Sequence, residues 1–284
     1  MSNVITECKV CGFPCVKFGF NKLKFCKKQC YYCRRCSLKF TNVGLLKVRY
    51  EIEIIATAIN WYYEGFSLRK IKRNLNLIYG INPNHYTILK WIRKYSTQIK
   101  EYIDEHYKLK ISNSNFVDET VIKCKGKNVW LWGIIDNNSR YLIDYIYVRD
   151  RNYKTGLKLF TNYRDKIINY PINIISDGLK LYPKVIRRTF PKTVHINLIR
   201  FDGLIHNNIV ERFWGTIKDK TKVCRGFKNL VSTKSIIDGL MIHYNFVKPH
   251  ETLNGSTPAK AIGIGLSSSL NENKWLDLLK LCCK

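Results

Sequence analysis

The hydrophobic pattern of the chain changes its period part-way along. Over residues 50–64, apolar side chains recur at Ile52, Ile55, Ala56 and Ile59, the spacing of one helical face, and Gly65 breaks the run. Ser67 then stands as an N-cap for a second helix, Leu68–Leu77, with Leu68, Ile71 and Leu75 facing inward. Gly80 and Pro83 interrupt again, and Asn84 caps a third helix running through Ile88, Leu89 and Ile92 to about Ile103. Residues 107–115, YKLKISNSN, read as a polar linker. From Phe116 the period shortens. Phe116–Ile122, Val129–Ile135 and Arg140–Val148 read as strands, joined by turns at Lys125-Gly126-Lys127 and Asp136-Asn137-Asn138. A helix over Tyr153–Asn169 follows, with Leu157, Phe160, Ile167 and Ile168 as its buried positions, and Pro171 ends it. Next come a strand at Ile172–Ser176, a helix over Leu179–Phe190, a strand at Thr193–Ile199 and a helix over Asn208–Lys222.

The order βββαβαβα predicts a ribonuclease-H-like α/β core, a mixed sheet with helices on both faces and its functional residues near strand ends. Three acids fall where that topology can gather them. Asp118 lies in the first strand, Asp177 directly follows the apolar run ending the fourth, and Glu211 opens the last helix. A pair of divalent ions about 3.5–4 Å apart carries four positive charges and needs several converging carboxylates. In the last helix Glu211, Gly215, Lys218 and Lys222 share a stripe within roughly 60°, leaving Val210, Phe213, Trp214 and Ile217 to pack. Glu119 points away from Asp118 by strand alternation, and Asp136, Asp144 and Asp150 have no evident partner, so these four read as ordinary surface. His195 and His206 rank lower, as positioners of water or DNA.

Charge and cysteine content sharpen the picture. The sequence carries 49 Lys and Arg against 21 Asp and Glu, and 45% of it is apolar, so it reads as a globular chain with a polyanionic partner. No apolar run approaches the roughly 18–20 residues that cross a bilayer, and the N-terminus lacks the features of a signal peptide. Seven of the 11 cysteines lie within residues 8–36. The pairs Cys8-x2-Cys11 and Cys33-x2-Cys36 can each present two thiolates on a tight knuckle, which together suit one structural Zn²⁺ in a zinc ribbon. Cys15, Cys26 and Cys30 remain alternatives for one ligand. Tyr31, Tyr32, Arg34, Arg35 and Lys39 suit phosphate contact. The three helices that follow describe a helix-turn-helix unit, with His85, Tyr86, Thr87, Lys90, Arg93 and Lys94 available to DNA. The divisions expected are a ribbon over 1–46, a helix-turn-helix over 47–106, a linker over 107–115, a catalytic domain over 116–263 and a tail over 264–284. In that tail Trp275, Leu276, Leu278 and Leu279 form an apolar patch able to dock on the core or on another subunit.

These motifs together resemble a known group. Val117-Asp118-Glu119-Thr120, Ser176-Asp177-Gly178 and Asn207 to Phe213 are similar to DDE-type insertion-sequence transposases, notably insertion-sequence family six. So are Lys218 to Lys222, Arg225-Gly226-Phe227-Lys228, Tyr244 to His250 and Leu253 to Ala259, and 33 residues separate Asp177 from Glu211. The resemblance implies Asp118, Asp177 and Glu211 as the ligands of two Mg²⁺ or Mn²⁺ ions, with Lys218 on substrate DNA. Lys222, Arg212 and Arg225 are expected to hold phosphates beside it. It also implies an N-terminal part that recognises terminal inverted repeats, and an N-terminal zinc ribbon distinguishes this chain from the best-known members. The expected activity is cleavage of element ends and joining of the 3′-OH to target DNA, by a homodimer or larger assembly, in the cytoplasm at the nucleoid if the host is a prokaryote. The alternatives are a non-catalytic DNA-binding regulator derived from a transposase and a nuclease of the same fold that cuts without joining.

Overall fold

The computed structural model describes residues 6–8, 11–23, 26–41, 50–198, 208–223, 227, 229–266 and 273–282. The first element is a small antiparallel sheet of β1 (Thr6–Glu7), β2 (Pro14–Leu23), β3 (Cys26–Tyr32) and β4 (Lys39–Thr41), hydrogen-bonded in that order. Both cysteine pairs sit in tight turns at its end. The Gly12 amide donates to the Cys8 carbonyl at 2.8 Å and the Cys8 amide to Phe13 at 2.9 Å, while the Cys33 amide donates to Leu38 at 3.0 Å.

Helices α1 (Ile52–Tyr63), α2 (Leu68–Tyr79) and α3 (His85–His106) follow with the predicted caps. Ser67 Oγ accepts from the Lys70 amide at 3.2 Å and Asn84 Oδ1 from the Tyr86 amide at 2.9 Å. Gly80, at φ 64°, closes α2 in the left-handed conformation that lets its amide reach back to the last turn. These helices pack on two later elements, α7 (Leu230–Ile242) and α9 (Lys274–Cys282). Tyr63 is the pivot. Its hydroxyl lies 2.9 Å from Ser96 Oγ, and its ring stacks on Trp275 at 5.2 Å. Gly239 of α7 passes so close that a Cβ there would lie 1.8 Å from Tyr63 Oη. The apolar patch of the tail therefore docks on the chain's own helices.

The segment 107–115 is not the solvated linker its polar composition suggests. Leu109 and Ile111 are buried, the Leu109 amide donates to Lys166 and the Ile168 amide to Leu109, both at 2.9 Å. Those bonds also stop the helix α4 (Tyr153–Lys166) three residues earlier than its periodicity predicted, and Ile168, expected inside, is 69% exposed. Lys166 ties α3 to the sheet, pairing with Asp104 at 3.0 Å and Asp144 at 2.5 Å. Asp144 is thus a buried ion-pair partner rather than surface. Asp136 is likewise buried, accepting from the Ser112 amide at 2.7 Å and from the Ser139 amide and hydroxyl at 2.8 and 2.7 Å. Its acidity serves turn closure.

The large sheet contains β5 (Ser114–Cys124), β6 (Lys127–Asp136), β7 (Leu142–Val148), β8 (Asn173–Ser176) and β9 (Val194–Asn197), in the spatial order β7-β6-β5-β8-β9. β6 runs antiparallel to β5 and β7, while β8 and β9 run parallel to β5. The helices α5 (Tyr182–Thr189) and α6 (Asn208–Val223) complete the core. Adjacent residues of β6 show how both faces are covered. Trp132 faces α4, where a Cβ on Gly156 would lie 3.3 Å from its ring, and Gly133 faces α6, where its own Cβ would lie 3.2 Å from Trp214. This is the expected ribonuclease-H-like mixed α/β core.

After α7 the chain widens into a π-helical turn at His243–Val247, then passes through a 3₁₀ turn at Glu251–Leu253 to α8 (Pro258–Ala261). Asn245 clamps the start of β7: Leu142 donates its amide to Asn245 Oδ1 at 2.9 Å, and Asn245 Nδ2 donates to the Leu142 carbonyl at 3.0 Å.

Candidate active site and metal-binding residues

Parallel strands open a crevice at their carboxyl ends, and β8 supplies it here. Val117 is paired with Ser176, the last residue of β8, so Asp118 and Glu119 extend past the end of their neighbour. Asp177 turns into that space, its Oδ1 accepting from the Leu179 amide at 3.2 Å. Oxygens of Asp118, Glu119 and Asp177 lie within 4.8 Å of one another.

Burial pushes the Asp118 carboxyl up to about 7, and the like charges of Glu119 and Asp177 add to it. Glu119 is also raised, by burial first and then by Asp177. Negative charge packed this closely and half out of water is relieved by a hard cation with oxygen ligands. Trp214 partly offsets the cost by donating its indole N–H to Asp118 Oδ2 at 3.1 Å.

Glu119 corrects the sequence-based expectation. Alternation does send it to the face opposite Asp118, but that face is covered by α4 and α5 and is not surface. Its side chain is only 3% exposed, with one oxygen bonded to Arg151 and the other to the Tyr182 hydroxyl. With both oxygens engaged, Glu119 fixes the strand end rather than offering a free ligand. A buried tyrosine and an arginine three decades along the chain could not be matched to it from spacing alone.

Glu211 is exposed in the first turn of α6 and lies outside the group of three close carboxylates. It is placed about one helical turn before Trp214, at the exposed border of the side on which Trp214 packs, and Trp214 touches Asp118. The packing side of α6 is as its periodicity predicted: Val210, Phe213, Trp214 and Ile217 are buried, while Glu211, Gly215 and Lys218 are exposed. Arg212 is exposed beside them. Lys222 belongs to the same helix, its side chain outside the described residues, as are Arg225 and His206 altogether. His195 stands next to the site, its Nε2 2.8 Å from Ser176 Oγ, and burial lowers its pKa.

A second ligand cluster lies in the small sheet. The sulfurs of Cys8, Cys11, Cys33 and Cys36 all fall within 4.8 Å of one another, with Cys8–Cys36 at 3.4 Å, Cys11–Cys33 at 3.5 Å and Cys11–Cys36 at 3.8 Å. A tetrahedral zinc with Zn–S bonds near 2.3 Å separates its sulfurs by about 3.8 Å. The four thiols are therefore compatible with zinc. Cys15 sits outside the group, against the Phe13 carbonyl, and Cys30 is likewise not part of it; the Cys26 side chain lies outside the described residues.

In the helical unit, the first half of α3 presents His85, Tyr86, Lys90 and Lys94 to solvent. Lys90 and Lys94 lie over the rings of Tyr86 and Tyr95, and Arg93 is half-buried. Among the described residues no helix is long and apolar enough to cross a membrane.

A mixed sheet of this order, with carboxylates gathered where its parallel strands end, defines a ribonuclease-H-like core of the polynucleotidyl-transferase kind. Residues 112–250, a little under half of the chain, match the DDE domain family of the IS240 type. No curated protein matches the sequence. Among solved structures it is similar to a simian T-cell lymphotropic virus intasome in complex with the PP2A regulatory subunit B56 gamma, at 14% identity and TM-score 0.44 over 58% of each chain. The HTLV-2 integrase catalytic core domain in complex with magnesium is similar at 17% identity and TM-score 0.42, over 55% of this chain and 99% of that one. The catalytic core domain of BIV integrase is similar at 12% identity and TM-score 0.41, over 53% of this chain and 93% of that one. The chain thus spans little more than half the length of the intasome chain.

Proposed function

We propose that the chain is a DNA transposase that binds terminal inverted repeats, cleaves the element ends and joins the resulting 3′-OH to target DNA. The observation that carries this reading is the meeting of Asp118 and Asp177 at the end of β8, with Trp214 of α6 bonded to Asp118 and Glu211 one turn away. Asp118, Asp177 and Glu211 would hold the divalent ions, two Mg²⁺ or Mn²⁺. Bound there, divalent ions would supply Lewis-acid activation of a nucleophile and charge stabilisation of the leaving oxygen. Glu119, Arg151 and Tyr182 keep the strand end rigid. Lys218 and Arg212, exposed on α6, neutralise phosphates, and Lys222 and Arg225 are assigned the same task by their place in the sequence.

The remaining parts deliver DNA. Residues 1–46 form a zinc ribbon organised by Cys8, Cys11, Cys33 and Cys36, and residues 47–106 a helix-turn-helix whose Lys90, Arg93 and Lys94 meet duplex DNA. Residues 116–263 form the catalytic domain, and joining two ends together requires a dimer or larger assembly. The net charge of +28 supports a polyanionic partner.

The test is a joining assay on end-containing duplexes with Mg²⁺ or Mn²⁺. Asp177→Asn is expected to bind DNA as the parent does and to yield no joined product. Joining at the parent's rate by that variant overturns the assignment. Binding by the parent without joining or cleavage favours a non-catalytic regulator, and cleaved but unjoined ends favour a nuclease.

A further inference from the structure

The segment Tyr244 to His250 is a sequence motif to which the chemistry above gives no task. Part of it is structural, since Asn245 clamps β7. The remainder builds a concavity of about 340 Å³ against α6, walled by Arg140, Arg212, Lys248 and His250 with Asn208 and Thr216. These residues come from three separate parts of the chain.

Each wall is held in place. Arg140 sits in the turn between β6 and β7 at φ 61°, a conformation a side chain adopts only when its surroundings impose it. Its Nη1 donates to the Asn137 carbonyl at 2.6 Å. The Lys248 amide donates to His243 at 2.8 Å, and the loop beyond closes on itself through the His250 amide to the Ser256 carbonyl at 3.0 Å. The His250 ring stands edge-on to Tyr244 at 4.7 Å, and its Nε2 is buried without a hydrogen-bond partner among the described residues.

Three cationic side chains line this concavity and no carboxylate does, a balance shared with a concavity of about 420 Å³ at Lys125, Lys127 and Arg149, but here the cations are brought against α6 beside Glu211. Arg140 is half-buried, and Arg212 adds like-charge repulsion to the desolvation that lowers its pKa. A larger groove of about 650 Å³ along β7 also contains lysines, among them Lys100, Lys158 and Lys166, but Asp104, Asp144 and Asp165 share it. There the aspartates offset much of the lysine charge, as the Lys166 pairs show. Around Arg140 and Lys248 the counter-charge within the fold is Asp136, which acts on Arg140 from beneath its turn and does not line the concavity.

We infer that Arg140, Arg212 and Lys248 form a phosphate-binding pocket that grips a backbone phosphodiester of the DNA beside the reacting bond, with His250 as a further donor. This rests on the proposed transposase function and gives it a second anchor. Arg212 follows Glu211 directly, so a phosphate seated here sits on the same duplex that the carboxylates address, displaced along α6. Such a contact positions DNA without reading its sequence.

The experiment measures the salt dependence of binding to a 30-base-pair duplex of arbitrary sequence, using the full chain. Lys248→Gln is expected to make the slope of log K against log salt shallower by about 0.9, the contribution of one neutralised phosphate, with Lys248→Arg restoring it. Arg212→Gln on the exposed helix surface provides the same readout if Lys248→Gln fails to fold by circular dichroism. Lys158→Gln, from the groove that the aspartates share, is expected to leave the slope unchanged. Unaltered slopes for folded Lys248→Gln and Arg212→Gln overturn the pocket, and joining by the parent then leaves the transposase reading intact. Inorganic phosphate titrated without DNA forms the second arm. Saturable binding that Lys248→Gln abolishes, with the DNA slope unmoved, assigns the pocket to a small free phosphate and overturns the backbone contact. A parent protein that joins no DNA defeats the functional reading, whichever way the slopes fall.

Discussion

The two ligand clusters of this protein are built in opposite ways. The four thiols lie within residues 8–36, on two tight knuckles of a sheet whose exposed side chains include Phe13, Phe18 and Phe20. So small a unit has little apolar interior to bury, and its ligands are its core. The carboxylates of Asp118, Glu119 and Asp177 are instead imposed on a sheet already held by Trp132, Phe160, Tyr182 and Phe213, all essentially buried. There the fold forces like charges together and the ion relieves them. A metal that makes a fold and a metal that a fold demands should respond differently to the same insult.

The largest expected effect is on the ribbon. Structural zinc in such units contributes on the order of 10 kcal/mol of apparent folding free energy. Cys33→Ser, or chelation of the parent, should therefore expose residues 1–46 to limited proteolysis while the fragment beyond Tyr50 persists. Equal protection of both regions after chelation would erase the contrast.

Next comes the seam between the helical unit and the core. A Cβ at Gly239 would collide with the Tyr63 hydroxyl at 1.8 Å and with Ser96 Oγ at 2.4 Å. Overpacking of that sort costs about 1–3 kcal/mol or more, so Gly239→Ala should lower Tm by several degrees in a thermal melt. Tyr63→Phe combined with it should recover part of the loss, because the colliding oxygen is then gone.

A smaller effect is expected at Trp214. Its indole hydrogen bond to Asp118 favours the ionised carboxylate, and a bond to a charged group is worth about 1.5–3 kcal/mol. Trp214→Phe keeps an aromatic ring on Gly133 and removes the donor. The Mg²⁺ concentration for half-maximal joining should rise by about tenfold, measured by titration, with little change in DNA affinity. An unchanged requirement would mean that the bond does not tune the site.

The last concerns pH. Burial holds the folded Asp118 carboxyl near 7, against 3.8 for the free group. The folded state therefore binds this proton more tightly than the unfolded chain does. Its contribution to stability is neutral below about pH 4, turns increasingly unfavourable as pH rises towards 7, and stays so above. Asp118→Asn abolishes that dependence, so the Tm difference between variant and parent should grow from pH 4 to 7 without added divalent metal and then level off. A difference that stays flat would show the carboxylate to be well solvated.

Several of these features were legible from residue order and several were not. Ser67 and Asn84 announce their helices because a cap acts within three residues. The packing side of α6 follows from its period. Helix α7 left no such trace: Ile236, Ile237, Leu240, Met241 and Ile242 are all buried, and a helix enclosed on several sides shows no polar stripe. Asp136 and Asp144 looked like surface because their partners, Ser112 and Lys166, are 24 and 22 residues away.

The sequence by itself determined the kinds of most elements, the two cysteine knuckles, the excess of positive charge and the placing of acids at a strand end and a helix start. Each depends on neighbours a few residues apart, or on composition. Only tertiary structure decided that Glu119 is held inside by Tyr182 and Arg151, that residues 107–115 are anchored to α4, and that Arg140, Arg212 and Lys248 share one pocket. Those outcomes depend on which strands stop early and which helix crosses which face. Distances between residues remote in the chain exist only once the sheet has closed and its faces are covered.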